Sequence, residues 1–301
     1  MRVVRGLSHL ACVCVLALAA SATASQQRDE ADRDVLSAFV ERSRDADIVV
    51  LGEIHDNPEH HRVQAEIVAA LGPAAIVFEM IPQEREAAVN ELRAAGADRA
   101  ALAAALDWDA SGWPDFDFYA DILDAAPTAQ VFGAGQPAAD VRRAMLEGAA
   151  GVFGPDARIY GIDQPLDAEE QAAREAIQAA AHCDLLPAEM MAGMVEAQRF
   201  RDAGLADAAL WARIMTGGGQ VVVIAGSAHA DKVRGMPAMI ALAAPEATVM
   251  ALGQFEGDAL DMEAERFDAV LHAPPPPRDD PCAQIAAPDP AGEAGDGIVV
   301  D

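Results

Sequence analysis

The sequence feature that most constrains the fold is a buried strand that passes directly into a helix. Residues Ile48 to Leu51 form an unbroken apolar run, which is typical of a strand covered on both faces. Asn57 followed by Pro58 predicts a helix start, with an N-cap and a first-turn proline. Glu53 and His55 lie between them, two residues apart, so an extended backbone directs both side chains to one face. Open α/β sheets bind ligands at this edge, beyond the carboxyl ends of their strands.

Five further apolar runs predict more strands of the same kind. They are Ala75–Phe78, Ala129–Phe132, Gln220–Ala225, Ala247–Leu252 and Phe267–His272. Alanine-rich segments with helical periodicity separate some of them, namely Pro58–Leu71, Gln83–Ala95 and Ala138–Glu147. Strands that alternate with helices predict an α/β fold with a mostly parallel sheet flanked by helices on both faces.

The predicted domain organisation is one α/β domain over residues 25–283. Residues 167–215 show several helical patterns and no strand signal, so we expect a helical insertion or a small helical subdomain there. The segment Arg158–Gly161, which contains Tyr160, is predicted to be a buried strand. The tail 284–301 is rich in alanine, proline, aspartate and glycine and is predicted to be disordered.

The N-terminus has the pattern of a secretory signal peptide over residues 1–24. Arg2 and Arg5 precede an apolar segment from Leu10 to Ala20, and small residues at Ala22 and Ala24 indicate a cleavage site. The apolar segment is too short to span a bilayer. We therefore expect a mature protein that begins near Ser25 and is periplasmic or secreted.

The cysteines are also consistent with a periplasmic or secreted protein. Cys12 and Cys14 lie within the predicted signal peptide, and neither follows a lipid-attachment box, so a lipoprotein is the less favoured alternative. Cys183 and Cys282 then remain as an even pair in an oxidising compartment, which predicts a disulfide; two separate buried thiols are the alternative. The formal net charge of −28 argues against nucleic acid as a partner, because phosphate binding needs a basic surface.

Polar residues follow three of the predicted strands and are expected to converge on one edge of the sheet. They are Glu53 and His55, then Glu79, then His229 in a Gly-x-x-His block. Two histidines and two glutamates make a suitable ligand set for a divalent metal such as zinc. The alternative is structural: the histidines bond neighbouring carboxylates, and the glutamates pair with a buried arginine such as Arg199.

Two further histidines, His60 and His61, open the helix after the first strand. Helical spacing directs His60 toward the core side, with His61 beside it. We expect each to be a satisfied surface or first-turn histidine and not a ligand.

Several ordered blocks of the chain resemble a known family over residues 45–283. The blocks are Gly52–His61, Val77–Met80, Trp108–Tyr119, Val195–Arg199, Gly226–His229 and Arg278–Cys282. Together they resemble the ChaN-like haem-binding proteins, which are bacterial envelope proteins linked to iron and haem uptake. The resemblance implies that haem is the cofactor and that a haem receptor or transporter of the envelope is a possible partner. A homodimer that holds haem between its subunits is compatible with it.

The resemblance directs attention to an aromatic segment and to one tyrosine in it. Trp113 could flank a porphyrin or anchor a loop, and both interpretations stay open. Of the two tyrosines, Tyr119 ends this segment and is the better axial candidate, because Tyr160 is predicted in a buried strand. Arg199 could clamp a haem propionate. The predicted haem-binding set is Tyr119, His55, His229, Arg199 and Trp113.

The competing function is an enzyme. The ChaN-like proteins resemble a wider group with the same Glu-x-His and Gly-x-x-His blocks, some members of which are proposed metal-dependent hydrolases. In that interpretation Glu53, His55, Glu79 and His229 are catalytic. The sequence favours a binding protein over this hydrolase.

Overall fold

The computed structural model describes residues 30–257, 265–280 and 282–283. The predicted signal peptide (1–24) and the predicted disordered tail (284–301) lie outside the described residues. No helix in the described part of the chain is long and apolar enough to cross a membrane.

The described elements alternate strands with helices, as the sequence predicts. The strands are β1 (Ile48–Glu53), β2 (Ala75–Pro82), β3 (Gln130–Gly135), β4 (Val221–Gly226), β5 (Val249–Glu256) and β6 (Ala269–Ala273). The helices of the first half are α1 (30–43), α2 (Pro58–Leu71), α3 (Glu86–Ala94), α4 (Arg99–Leu106), α5 (Trp108–Ser111) and α6 (Phe116–Ala125). Those of the second half are α7 (Ala138–Glu147), α8 (Ala149–Phe153), α9 (Ala168–Ala181), α10 (Met191–Met215) and α11 (Met236–Ala243). Short 3-10 helices cover Gln83–Arg85, Pro155–Arg158 and Ala188–Met190.

The six strands form one parallel sheet in the order β3-β2-β4-β1-β5-β6. All six predicted apolar runs are strands, so the predicted α/β fold with a parallel sheet is confirmed. The chain order and the spatial order differ, because β4 lies between β2 and β1. The carboxyl ends of strands distant in sequence therefore meet at one edge.

The helices divide between the two faces of the sheet by position in the chain. Side chains from α1 to α6 pack with Val49, Leu51 and Phe78 in one core. Side chains from α7, α8, α10 and α11 pack with Ile48 and Val50 in the other. Alternate residues of β1 thus point into opposite cores, as the two-residue period of a strand requires.

The predicted helical segment 167–215 contains α9 and α10. Helix α10 packs on β3, β2 and β4, the half of the sheet that begins at the β3 edge. Helix α9 packs on α10 and has no fully buried residue.

The predicted strand at Arg158–Gly161 is wrong. The structure has a 3-10 helix over Pro155–Arg158, followed by turns. Gly154 and Gly161 adopt positive φ on either side of this segment, and Pro155 lacks the N–H that a strand ladder would use. Tyr160 is buried there and donates a hydrogen bond to Asp207 over 2.7 Å.

The structure contains the disulfide that the sequence predicts. Cys183 and Cys282 are bonded, with their Cα atoms 5.8 Å apart. The bond joins the segment after α9 to the segment that follows β6.

Candidate functional site

The site lies at the carboxyl ends of β1, β2 and β4, where the backbones approach closely. Gly52 permits this approach, because a Cβ at that position would lie 2.9 Å from the Cα of Ser227. The Ser227 N–H donates to the carbonyl of Glu53 over 2.9 Å. The ends of β1 and β4 are thus fixed against each other, with Glu53 opposite Gly226.

Glu53 is the anchor of the first half of the site. Its Oε1 lies 2.6 Å from Nδ1 of His55 and accepts a hydrogen bond from the Tyr119 hydroxyl over 3.0 Å. Glu53 and Tyr119 are each 1% exposed, whereas the His55 side chain retains 12% exposure. His55 therefore lies at the mouth of the site, and Tyr119 lies behind the carboxylate that orients it.

Glu79 anchors the second half. Pairing between β2 and β4 ends at Phe78, and the β2–β3 register shifts just beyond it, so Glu79 leaves the regular ladder. Its Oε2 accepts the Gly226 N–H over 2.9 Å, and its Oε1 accepts from Nη2 of Arg201 over 2.8 Å. Both oxygens of this buried carboxylate are thus held by protein donors.

His229 connects Glu79 to a second buried acid. Its Nε2 lies 3.3 Å from Oε1 of Glu79, and its Nδ1 lies 2.7 Å from Oδ1 of Asp202. His229 and Asp202 have no exposed surface. Burial raises the pKa of Asp202, and the adjacent His229 acts in the opposite direction.

His61 completes the set from the first turn of α2. Its Nε2 donates to the carbonyl of His55 over 2.7 Å, and its Nδ1 lies 3.3 Å from Oε2 of Glu53. Its ring stacks on Phe118 at a centroid distance of 5.0 Å. We call Glu53, His55, His61, Glu79, Asp202 and His229 together the carboxylate–imidazole cluster.

His60 has a structural role next to the cluster. Its Nδ1 accepts the Ile54 N–H over 2.9 Å, so the proton of the neutral ring lies on Nε2, 3.3 Å from the carbonyl of Phe255. Burial lowers the pKa of His60 to about 4 and keeps it neutral. It joins the turn after β1 to the end of β5.

The structure brings four of the predicted residues together and places Arg199 elsewhere. Glu53, His55, Glu79 and His229 meet as expected from the sequence. Arg199 is bound to Glu196 and to backbone carbonyls on the far side of α10.

Trp113 lies against His55, with ring centroids 4.7 Å apart at 67°. It is half-buried and stands on the segment between α5 and α6. The aromatic segment thus contributes directly to the mouth of the site.

Sequence reasoning missed three members of the site: His61, Arg201 and Asp202. Arg201 and Asp202 follow Arg199 on α10, a helix buried on much of its circumference, so periodicity could not select which of its polar residues face the sheet edge. A usable signal was present at Asp202, because an acid within an alanine-rich buried helix needs a partner.

The geometry does not support the predicted metal alternative. In the described part of the chain, no group of three or more His, Cys, Asp or Glu side chains is arranged to hold a metal ion. The physical reason is visible at Glu79 and His229, which bond Arg201, Gly226 and Asp202 within the protein. Zinc, the predicted alternative cofactor, is therefore without structural support.

The residues present are compatible with haem. Carboxylate bonding at Nδ1 fixes the ring of a ligating histidine and leaves Nε2 as its ligating atom. His55 has this arrangement with Glu53 and lies against Trp113 with its side chain 12% exposed, but its Nε2 is buried, 3.9 Å from Oε2 of Glu79. Haem sites require an axial donor next to apolar and aromatic surface.

These features define an α/β protein with a buried carboxylate–imidazole site at the carboxyl edge of a parallel sheet. The family model described as haem-binding uptake, Tiki superfamily, ChaN, matches residues 39–272. The chain belongs to this family, which supports haem binding. Among curated proteins, none matches the chain significantly.

A solved structure shares this fold. The chain is 21% identical to the structure described as cofacial heme binding to ChaN of Campylobacter jejuni, with a TM-score of 0.57 over 74% of this chain and 87% of that one. At this identity the likeness shows the fold alone. The type III effector HopBA1 (15% identity, TM-score 0.43, 73% of this chain and 82% of that one covered) and a mutant of the erythromycin esterase EreC (12% identity, TM-score 0.40, 74% and 72% covered) match more weakly.

Proposed function

We propose that this chain is a haem-binding protein of the bacterial cell envelope that acts in haem or iron acquisition. The observation that carries the proposal is the match of the haem-binding uptake family over residues 39–272. The signal-peptide pattern of residues 1–24 and the Cys183–Cys282 disulfide support an address outside the cytoplasm. In this role the protein would pass haem to a receptor or transporter of the envelope, alone or as a homodimer.

We infer that His55 would hold the iron of a bound haem once its Nε2, which is buried beside Glu79, is uncovered. When bound, haem would supply an iron that accepts a nitrogen donor. His55 is the cluster imidazole nearest the surface, and Glu53 holds its Nδ1. Trp113 supplies an aromatic surface next to the ring. Tyr119 acts through Glu53, since its hydroxyl bonds that carboxylate; His229, fully buried, acts through Glu79.

Titration of the purified protein with ferric haem tests this assignment. We expect a saturable Soret band in the wild type and at least about a tenfold weaker affinity in His55→Ala, because a lost metal–ligand contact or its orienting partner has effects of this size. Tyr119→Phe should retain the band with a smaller loss, because Glu53 keeps its contact with His55. His272→Ala, at a half-buried histidine of β6 outside the cluster, is the control and should bind as the wild type does.

The outcomes separate the two candidate ligands. Loss of the band in Tyr119→Phe with retention in His55→Ala would identify the phenol as the ligand and refute the assignment to His55. Absence of a Soret band in the wild type would overturn haem binding itself.

A separate measurement tests the proposed location in the cell envelope. Intact mass of the protein recovered from the periplasm or medium should begin at Ser25 without a lipid adduct. A diacylglyceryl group on Cys12 or Cys14, or an unprocessed chain confined to the cytoplasm, would contradict this part of the proposal.

A further inference from the structure

A cavity of about 360 Å³ adjoins the carboxylate–imidazole cluster, and Trp113 is not among its lining residues. It lies between α9, α10, the segment after β4 and the end of β5. Its walls are largely apolar and include Ile177, Ala181, Val195, Phe255 and Phe267. This volume is within the range of small-molecule sites.

Asp202, which lines this cavity, has a buried oxygen that lacks a hydrogen-bond donor. The side chain is fully buried, and its Oδ1 is bonded to His229. Its Oδ2 accepts no hydrogen bond from any of the described residues. A buried carboxylate oxygen without a donor is costly, so this atom indicates a missing partner.

Glu53, which also lines the cavity, has a second such oxygen. Its Oε2 lies 3.3 Å from Nδ1 of His61, but the contact does not have hydrogen-bond geometry, and the described residues supply no other donor. Two carboxylates that line the cavity, one on α10 and one at the end of β1, therefore each have a buried oxygen without a donor. A single ligand with several donors would satisfy both.

The arginines around the cavity are already paired. Arg174 and Arg234 both donate to Glu170, over distances of 2.7–2.9 Å, and Arg266 forms an ion pair with Asp231. Three arginines share two acids, so these pairs leave one positive charge in excess at the rim. The acceptors on Asp202 and Glu53 are thus the features that select a ligand.

We propose that this cavity binds a small primary amine with an apolar body. The ammonium group offers three donors and a positive charge, which match the two carboxylate oxygens of Asp202 and Glu53 that lack a donor. The apolar body would lie against Ile177, Val195 and the two phenylalanines, Phe255 and Phe267. This site goes beyond haem binding: His55 and Trp113 do not line it, and the ligand is tested on protein without haem.

The test is calorimetric titration of the full-length mature protein with 2-phenylethylamine, 2-phenylethanol and 3-phenylpropionate. These probes share an aromatic body and differ in the polar head. We expect saturable binding of the amine at one site per chain, with at least about a tenfold weaker affinity for the alcohol, because a charge-assisted hydrogen bond is lost. Preference for the carboxylate, or no binding of the amine, would overturn the proposal.

Three variants control for non-specific attraction to an acidic protein. Asp202→Asn removes the charge and should weaken amine binding at least about tenfold. Ala181→Phe fills the cavity from α9 and should abolish binding, whereas Ala180→Phe makes the same change at the adjacent exposed position and should not alter it. If Asp202→Asn does not fold, the alanine pair carries the test. Equal binding by Ala181→Phe and Ala180→Phe would show that the amine does not occupy this cavity.

Discussion

The two faces of the sheet are packed in different ways. The face covered by the first half of the chain contains Phe39, Phe78, Trp108, Phe116 and Tyr119. The other face is built largely from alanine, with Ala203, Ala206, Ala209 and Ala212 all fully buried on α10. The same parallel sheet therefore supports a ring-packed core on one side and a close-packed alanine core on the other.

The difference teaches how the site is supported. These four alanines wind around about half of the helix surface with small side chains, which lets α10 lie close to the sheet and carry Arg201 and Asp202 to its edge. On the opposite face the rings contact one another: Trp108 lies 5.0 Å from Tyr119 between centroids, and Tyr119 lies 4.7 Å from His61. On the alanine face, the close approach of α10 positions Asp202. On the ring-packed face, aromatic side chains support the imidazole of His61.

The largest expected effect concerns the disulfide, which holds the outermost helix of the alanine face. Because α9 has no fully buried residue, we expect it to depend on this bond more than a ring-packed helix would. Replacing Cys183 and Cys282 with alanine should lower the free energy of unfolding by about 4–5 kcal/mol in the chain-entropy account of a loop this long. Chemical denaturation measures the loss. Two free thiols in the unreduced, denatured wild type would contradict it.

Truncation should be most harmful on the ring-packed face. Trp108→Ala removes a ring that contacts Phe116 and Tyr119 and should cost about 4 kcal/mol. Trp211→Ala, at a half-exposed tryptophan on α10, is the matched control and should change stability by less than about 1 kcal/mol. Similar losses in the two variants would show that the faces do not differ in this respect.

Lowering the pH should destabilise the ring-packed face through protonation of His60. Its folded pKa of about 4 lies below the unfolded value of 6.5, so the neutral ring stabilises the fold fully above pH 6.5. That contribution, about 3 kcal/mol, is lost as the pH falls from about 6.5 to about 4. His60→Gln can still accept and donate hydrogen bonds but does not titrate, so its stability should fall less over this interval. Parallel pH profiles for the two proteins would rule out His60 as the source.

Enlargement should be most harmful on the alanine face. Ala206→Leu inserts three carbons where α10 meets the sheet and should cost about 2 kcal/mol through overpacking. Ala192→Leu, at an exposed position near the start of α10, should be close to neutral and provides the comparison. A stable Ala206→Leu variant would mean that this core has space to accept the larger side chain.

Much of the fold and part of the site followed from local pattern. β1, β2, β4 and β5 each contain an apolar run of at least four residues, which is typical of strands buried on both faces, and Asn57 caps α2 by accepting from the Glu59 N–H. The pattern failed at Tyr160, where an apolar pair between polar residues resembles a short strand. Gly154 and Gly161, with positive φ, turn the chain there instead.

By itself, the sequence determined the six strands, the cysteine pair and the convergence of Glu53, His55, Glu79 and His229 at one edge. Those properties depend on residue type, order and strand direction. Only the tertiary structure decided that β4 lies between β2 and β1 and that Arg201, not Arg199, bonds Glu79. It also decided that the Tyr119 hydroxyl donates to Glu53, the carboxylate that orients His55. Neighbours across a sheet and the orientation of a buried helix depend on how whole faces pack, which no local pattern specifies.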